Sequence, residues 1–170
     1  SGSASPRKLV KGELTGDQRR HLVRRLGAEL ARLHTVRPPK DSLAFLEMPA
    51  GNNPALNRVA LYRRYLKEIG EPHPVLEWAL NWLEDHAPEP GPTVLCHCDF
   101  RTGNYMVSDD GELTGILDWE FAGWGEPEED LGWFTARCWR FGAYEREGGG
   151  IAGAGPFFDA YERASGRSID

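Results

Sequence analysis

The sequence has 170 residues, 40% of them hydrophobic and 27% charged, which is typical of a folded domain and not of a disordered chain. No apolar run is long enough to cross a bilayer, so we expect no membrane span. The net charge of -6 is unevenly placed, because residues 71–130 contain fifteen acidic side chains and a single basic one, Arg101. This distribution argues against the basic face that is typical of nucleic-acid binding.

The first part of the chain predicts helices. A polar run at the start indicates that residues 1–12 are a flexible terminus or a remnant of cloning, so we expect the folded domain over residues 13–170. Thr15 and Gln18 form a capping-box pattern, after which leucines recur at helical spacing. Two later prolines stand where a first helical position is expected. The helices predicted from these signals cover residues 15–36, 54–70 and 74–86.

The pattern changes after the third helix. Short apolar runs on either side of the turn signal Asp109-Asp110-Gly111 predict a β-hairpin within residues 93–120. Two more helices are expected beyond the hairpin, and the glycine-rich segment 148–155 between them is expected to be mobile. These helices cover residues 127–142 and 156–165. The predicted fold class is therefore mainly α with a small β-hairpin, an α+β arrangement.

The cysteine pattern bears on the compartment and on metal binding. Cys96, Cys98 and Cys138 make an odd number and give no disulfide framework. We therefore expect a reducing compartment and a cytoplasmic protein. The run Cys96-His97-Cys98 does not match a zinc motif, because its residues are too close together and no second pair of cysteine or histidine residues follows.

Three polar residues are placed for chemistry around the predicted hairpin. Asp99 follows a strand, Asn104 opens the next strand, and Asp118 ends the second strand of the hairpin. Because a hairpin returns its far end to its start, Asn104 and Asp118 are expected to face the same point. Their oxygens suit Mg²⁺, which leaves Asp99 to accept a proton from an attacking hydroxyl. Taken singly, Asp99 and Asn104 are more typical of turns and caps; together with Asp118 they favour a functional site.

The same residues carry a family resemblance. The pattern has a catalytic-loop part and a part that follows the hairpin. They read His97-x-Asp99-x4-Asn104 and Ile116-Leu-Asp118-Trp-Glu120. In order, spacing and context, this pattern resembles the catalytic region of the aminoglycoside phosphotransferase and choline kinase family, whose members are relatives of the protein kinases. The resemblance covers nearly the whole chain and implies the C-terminal lobe of the protein-kinase-like fold.

The resemblance implies a role for each residue of the motif. It implies that Asp99 is the catalytic base and that Asn104 and Asp118 bind Mg²⁺ beside the phosphates of ATP. It also implies that His97 orients the catalytic loop. A later segment that is similar to the family's pattern implies that Asp130 caps the following helix and anchors the same loop.

Four residues near the motif have roles that the sequence leaves open. Arg101 would neutralise phosphates, steady the loop or balance the surrounding acids. Trp119 and Glu120 are candidates for the substrate side of the site, with core packing as the alternative for Trp119. Cys98 stands where the family usually has glycine, so its thiol is either tolerated or a point of oxidation.

One part of the kinase pattern is not found in the sequence. Protein kinases hold ATP with a glycine-rich loop and a lysine on a strand, and residues 1–170 show neither. We therefore expect that the N-lobe, which binds the nucleotide, is absent from these residues and is the missing partner of this lobe in the same polypeptide. A fragment without it is expected to be inactive.

The sequence thus favours the C-terminal catalytic lobe of an ATP- and Mg²⁺-dependent phosphotransferase. Its partners would be a nucleotide and a small molecule with a hydroxyl group, and the acidic residues are compatible with a cationic substrate or with a solvated surface. A kinase-like binding or scaffold domain is the alternative function. A metal-dependent hydrolase that uses Asp99 and Asp118 ranks last, because further ligands are not found. Neither a nucleic acid nor a membrane is expected as a partner.

Overall fold

The computed structural model describes residues 2–51 and 53–169. Ser1, which begins the predicted flexible terminus, and Asp170, which ends the predicted domain, lie outside the described residues. Helices and two small antiparallel sheets form an α+β arrangement, which confirms the predicted fold class. The helices are α1 (Pro6–Lys11), α2 (Gly16–Leu33), α3 (Pro54–Ile69), α4 (Pro74–Asp85), α5 (Pro127–Thr135) and α6 (Gly155–Ser165). The strands are β1 (Gly2–Ser3), β2 (Val94–Cys96), β3 (Tyr105–Ser108), β4 (Leu113–Ile116) and β5 (Gly123–Gly125).

Helix α2 lies at the centre of the core. Its N-terminus has the predicted capping box, in which Thr15 Oγ1 accepts from the backbone N–H of Gln18 at 3.2 Å and Gln18 Oε1 accepts from that of Thr15 at 2.8 Å. The apolar face of α2 packs against α6, and Gly27 permits their close approach, because a Cβ there would lie 2.3 Å from the carbonyl oxygen of Phe157. The buried residues of α2 are Leu22, Val23, Leu26, Gly27, Leu30 and Ala31.

The sheets position the loop that carries the motif. Strands β3 and β4 form the predicted hairpin, with Tyr105 opposite Ile116, and its turn contains Gly111 in the left-handed region at φ 91°. Strand β2 pairs with β5 and places Leu95 opposite Trp124. The sequence did not predict β5, since Gly-Trp-Gly lacks the alternation of apolar and polar residues that identifies a strand. The loop between β2 and β3 therefore has a strand of a different sheet at each end.

The start of the chain differs from the expectation of a flexible segment over residues 1–12. Strand β1 extends the hairpin by pairing with β3, and α1 buries Leu9 and Val10. The Arg19 guanidinium also holds the end of this segment, because it donates to the carbonyl oxygens of Leu9 and Gly12, each at 2.9 Å. The N-terminal segment appears featureless in sequence, but the burial of two apolar side chains and these hydrogen bonds order it in the structure.

The predicted helix over residues 127–142 is divided in the structure. Helix α5 ends at Thr135, Ala136 adopts an extended conformation, and a 3₁₀ segment follows over Arg137–Arg140. The Arg140 guanidinium donates to the carbonyl oxygen of Thr135 at 3.0 and 3.3 Å, which satisfies an acceptor that would otherwise continue the helix. The other predicted helices end within a few residues of their observed bounds.

The glycine-rich segment 148–155 is packed against the core, which corrects the expectation that it is mobile. Thr102 Oγ1 donates to the carbonyl oxygen of Gly149 at 2.7 Å, and Ile151 is fully buried. A Cβ at Gly149 would lie 2.5 Å from Thr102 Oγ1, and one at Gly150 would lie 2.4 Å from the carbonyl oxygen of Arg140. The glycines thus serve close packing behind the catalytic-loop region.

Helices α3 and α4 pack against each other at the edge of the molecule. Arg63 of α3 joins them through ion pairs with Glu77 at 2.9 Å and Glu84 at 2.5 Å. Val59 is the one buried residue of α3, and Leu80 the one of α4, within the described chain. In the part of the chain that the structure describes, no helix is both long and apolar enough to span a membrane.

Candidate active site

Asp130 fastens the loop between β2 and β3 to helix α5. Its carboxylate is fully buried and accepts from the backbone N–H groups of His97 and Cys98, both at 2.8 Å. His34 Nε2 lies 3.2 Å from the same carboxylate. The N-cap of α5 is Glu126, so Asp130 does not cap this helix as the resemblance implied. Both of its oxygens are directed to the loop.

His97 joins the loop to the end of the hairpin. Its Nε2 lies 2.8 Å from the carbonyl oxygen of Leu117, and its Nδ1 accepts from the backbone N–H of Asp99 at 3.3 Å. A carbonyl oxygen can only accept, so these partners assign the hydrogen to Nε2 and leave Nδ1 as an acceptor. The imidazole is fully buried and makes a tilted contact with Trp119, with ring centroids 4.7 Å apart. These contacts fit the orienting role that the resemblance implies.

Three donors hold the carboxylate of Asp99. Arg101 Nε lies 3.1 Å from both carboxylate oxygens, and Asn104 Nδ2 donates to Oδ2 at 2.6 Å. Trp133 of α5 donates its indole N–H to Oδ1 at 2.7 Å. The sequence gives no signal for this role of Trp133, because a tryptophan in a helix is more often a packing residue. Charge-assisted and short hydrogen bonds from three directions fix the orientation of this carboxylate.

Arg101 has a second contact that favours one of its proposed roles. Its guanidinium carbon lies 4.5 Å from the ring centroid of Trp139, over the face of the indole. The same guanidinium forms an ion pair with Asp99 through Nε, so both the ring and the carboxylate restrict its position. The geometry therefore favours Arg101 as a residue that steadies the loop.

Asn104 and Asp118 supply oxygens that fit a magnesium ion. The Asn104 amide nitrogen donates to Asp99, and the backbone N–H of Leu117 donates to the carbonyl oxygen of Asn104 at 2.8 Å, which brings the residue before Asp118 alongside Asn104. Within residues 2–51 and 53–169, neither Asn104 Oδ1 nor the exposed Asp118 carboxylate has a hydrogen-bond partner. An amide oxygen and a carboxylate are ligands that Mg²⁺ accepts, with water and phosphate completing its shell.

A cleft of about 370 Å³ opens beside Asp99. Its two acidic residues are both paired, Asp99 with Arg101 and Glu129 with Arg58, so the lining carries no net charge. Its walls are rich in aromatic rings, which suits a ligand that presents an apolar face. The lining residues are Arg58, Tyr62, Cys98, Asp99, Arg101, Phe121, Glu129, Trp133 and Trp139. Except for the motif residues, they come from distant parts of the sequence.

Trp119 and Glu120 lie outside this lining. Both are in an exposed 3₁₀ segment, Trp119–Phe121, that follows Asp118. The indole of Trp119 donates to the carbonyl oxygen of Ile116 at 3.1 Å and covers His97. Phe121, one residue beyond Glu120, does line the cleft. Their place on the substrate side stays a prediction.

Cys98 has an unusual backbone and environment. Its φ of 62° is in the left-handed region, where glycine is the favoured residue. Burial, together with the carboxylates of Glu129 and Asp130, raises the pKa of the Cys98 thiol to about 12. Arg58 Nη2 lies 3.7 Å from its sulfur. The thiol is therefore almost entirely protonated near neutral pH and reacts only through a small thiolate fraction.

A buried cluster of His34, Cys96 and Asp130 has the residue types of a metal site. Hydrogen bonds account for it: His34 lies between Asp130 at 3.2 Å and the Tyr161 hydroxyl at 2.8 Å, and Asp130 also holds the loop. Burial and the Asp130 carboxylate raise the pKa of Cys96, which keeps its thiol protonated. These groups therefore act as the support of the catalytic-loop region.

The loop, its buried anchor and the polar end of the hairpin belong to an arrangement of elements that has the kinase-like fold. The model of the phosphotransferase enzyme family (APH) matches residues 4–166, and the chain belongs to this family. The match confirms the resemblance seen in the motif.

Solved structures of two macrolide 2'-phosphotransferases share the kinase-like fold. A type I enzyme matches with a TM-score of 0.64 and 21% identity, over 88% of this chain and 46% of its own. The apoenzyme of MphH from Brachybacterium faecium matches with a TM-score of 0.59 and 27% identity, over 88% of this chain and 47% of its own. This chain therefore spans about half the length of these relatives.

One curated relative matches a shorter segment. The uncharacterized protein YcbJ of Bacillus subtilis (strain 168) is 33% identical over 51 residues, which is 30% of this chain and 17% of that protein.

Proposed function

We propose that this chain is the C-terminal catalytic lobe of an ATP- and Mg²⁺-dependent phosphotransferase that acts on a hydroxyl group of a small molecule. The observation that carries this proposal is the position of Asp99. Its carboxylate lines an aromatic cleft that can take an acceptor, and it is held by the indole N–H of Trp133 and by the amide N–H of Asn104, one of the two proposed magnesium ligands. Membership of the phosphotransferase family supports it.

Asp99 would receive the proton of the acceptor hydroxyl as the hydroxyl oxygen attacks the terminal phosphorus of ATP. General-base transfer needs a correctly oriented carboxylate, and Arg101, Asn104 and Trp133 provide that orientation. His97 and Asp130 would act one step further away, by holding the backbone of the loop. Arg101, Asn104 and Trp133 cannot themselves take up the proton near neutral pH, because their side-chain nitrogens act there only as hydrogen-bond donors.

Asn104 and Asp118 would hold Mg²⁺ through their free oxygens. A Mg²⁺ ion held by these two residues would supply positive charge that offsets the negative charge of the phosphates. The N-lobe that supplies the remaining contacts to ATP would belong to the same polypeptide, and residues 1–170 alone would be inactive. We propose a cytoplasmic location for the whole enzyme, because all three cysteines are free.

The size and walls of the cleft bear on the acceptor. About 370 Å³ is near the lower end of the range for ligand sites, and aromatic rings form much of the surface. The solved relatives are named for macrolides, so a macrolide belongs in the first test panel beside an aminoglycoside and choline. The balanced charges of the lining give a cationic acceptor no special advantage.

The test compares the 170-residue chain with the longer protein that contains an N-lobe. Calorimetry is expected to show binding of ATP in the presence of Mg²⁺ only for the longer protein, and transfer to one of the panel compounds is followed by release of ADP. A longer protein that fails to bind ATP would contradict the proposal. ATP turnover by the short chain would contradict the assignment of the N-lobe.

A further inference from the structure

The ion pair between Arg58 of α3 and Glu129 of α5 stands between the catalytic cleft and two neighbouring clefts. Both residues line the cleft beside Asp99, and both line each of the two adjoining clefts of about 470 Å³. Tyr62 is shared with one neighbour, and Cys98 with the other. The guanidinium and the carboxylate are in direct contact, so these side chains form a wall common to all three spaces.

Several contacts favour the closed position of this wall. Arg58 is itself partly buried, and although burial opposes its charge, the Glu129 carboxylate raises the pKa of Arg58 above its ordinary value. The sulfur of Cys98 accepts a weak hydrogen bond from Arg58 Nη2 at 3.7 Å. A Cβ at Gly125 would lie 2.9 Å from Glu129 Oε2, so β5 closes off the opposite side.

The same wall is able to open. The side chains of Arg58 and Glu129 retain 35% and 28% of their solvent exposure, so their attraction is weakened by water. Val59 is the one buried residue of α3 in the described chain, and hence few other contacts hold this helix against the core. Beyond the pair lies an apolar surface that includes Pro54, Val59 and Leu83.

We propose that the Arg58–Glu129 ion pair is a specificity-determining partition that sets how large an acceptor can reach Asp99. With the pair closed, the acceptor is confined to the catalytic cleft. With the pair open, the body of a larger acceptor extends past Arg58 towards α4 while its hydroxyl remains beside Asp99. This inference rests on the proposed function for its consequence in catalysis, but the partition itself is measurable without turnover.

The sulfur of Cys98 reports the width of the partition, because it lines two of the clefts and contacts Arg58. Cys96 is fully buried, and Cys138→Ser removes the exposed thiol. The probes are methyl and benzyl methanethiosulfonate: in each reaction the Cys98 thiolate attacks the sulfenyl sulfur, a disulfide forms and methanesulfinate leaves. The ratio of the benzyl to the methyl rate is independent of the thiolate fraction, which Arg58 also affects.

In the Cys138→Ser background, Arg58→Gln and Glu129→Gln are each expected to raise this ratio roughly fivefold, the effect of losing a partly exposed pair. The double variant is expected to raise it no further, since either change already opens the wall. The matched control is Arg63→Gln, which removes an ion-paired arginine from the same helix away from the catalytic cleft. An unchanged ratio, or an equal rise in the control, would overturn the proposal.

The second arm uses the longer enzyme and compares kcat/KM for a macrolide and for choline. Arg58→Gln is expected to raise the macrolide-to-choline ratio, again roughly fivefold. A changed labelling ratio with no turnover of any acceptor by the unsubstituted enzyme would contradict the proposed function and leave the partition standing. Turnover with an unchanged selectivity in Arg58→Gln would contradict the partition alone.

Discussion

At the scale of single residues, the site depends on hydrogen bonds that converge on two carboxylates. Asp99 is held by Arg101, Asn104 and Trp133, and Asp130 holds the loop from below. The first set of hydrogen bonds is made to Asp99, whose carboxylate faces the cleft. The second set is made by Asp130, whose side chain is fully buried. Substitutions in the two sets should therefore separate, with the first affecting activity and the second affecting stability.

Trp133→Phe tests the first set. The change removes the indole N–H that donates to Asp99 Oδ1 at 2.7 Å and keeps most of the aromatic surface. We expect kcat to fall about tenfold with little change in Tm, because one hydrogen bond to a charged group is lost. Steady-state kinetics of the longer enzyme measure this effect. Trp78→Phe, at an exposed position of α4, is the matched control, and an equal loss there would contradict the assignment.

Asp130→Asn tests the second set. The amide nitrogen of Asn would face a backbone N–H where a carboxylate oxygen now accepts, so at least one buried donor loses its partner. We expect the free energy of unfolding to fall by about 2–4 kcal/mol. Urea denaturation of the 170-residue chain measures it. Glu128→Gln, an exposed acid of the same helix paired with Arg167, should cost less than about 1 kcal/mol. Similar losses for the two variants would argue against the anchor.

At the scale of elements, the close contact of α2 and α6 supports the whole site. Gly27 of α2 lies against the backbone of Phe157. His34, at the C-cap of α2, contacts the Asp130 carboxylate through Nε2 and the hydroxyl of Tyr161 of α6 through Nδ1. Because His34 contacts Asp130 and Asp130 holds the loop between β2 and β3, a change in the distance between α2 and α6 would disturb that loop.

Gly27→Ala tests this packing. The added methyl group would lie 2.3 Å from the carbonyl oxygen of Phe157, so α6 must shift. We expect a loss of about 1–3 kcal/mol in the free energy of unfolding. Gly132→Ala in α5 meets no atom within 4 Å and should instead stabilise the protein by about 0.5–1 kcal/mol through helix propensity. Thermal or urea unfolding measures whether each variant is less or more stable than the unsubstituted protein. If both changes stabilise it, the close contact between α2 and α6 at Gly27 is refuted.

The elements also show what the sequence can reveal. Asp99, Asn104 and Asp118 could be proposed from the sequence because they lie on one loop and hairpin, where spacing fixes their neighbours. Arg58 and Trp133 were missed, because they reach the same cleft from helices that are distant in sequence and have no local pattern. The segment around Gly149 was misinterpreted for a different reason: glycine is required there for close packing, and the sequence shows only its freedom.

At the scale of the whole molecule, several buried cysteine thiols and tyrosine hydroxyls stay protonated in the folded state. Burial raises the pKa of Cys98 and of Tyr161 to about 12, and it also raises those of Cys96 and Tyr105. In the unfolded chain these groups ionise near their ordinary values of about 8.5 for cysteine and about 10 for tyrosine. Above those values the unfolded chain binds fewer protons than the folded one, so alkaline conditions favour unfolding.

The stability that these groups contribute should therefore be complete below about pH 8.5 and decline as the pH rises towards 12. Urea denaturation at a series of pH values measures the decline. Cys98→Ser, which removes one ionisable group, should make it shallower, and the exposed Cys138→Ser serves as the control. A stability that is constant from pH 8 to pH 11 would contradict the burial of these side chains.

The family and the α+β fold were predictable from the motif and the helix signals, because both are encoded locally. The order of residues 2–11 was not, since it depends on pairing with β3 and on the distant Arg19. The size of the cleft beside Asp99 was likewise beyond the sequence, because its walls are assembled only in the folded chain.

The central claim is that Asp99 is the base of a phosphoryl transfer to a hydroxyl group. The most direct measurement is the single-turnover rate of transfer from ATP in the longer enzyme, with and without Asp99→Asn, which keeps the size of the side chain. We predict a fall of at least about a hundredfold, with ATP affinity unchanged and with Asp85→Asn, an exposed residue at the end of α4, behaving as the unsubstituted enzyme. An Asp99→Asn enzyme that transfers phosphate at the normal rate would contradict the account.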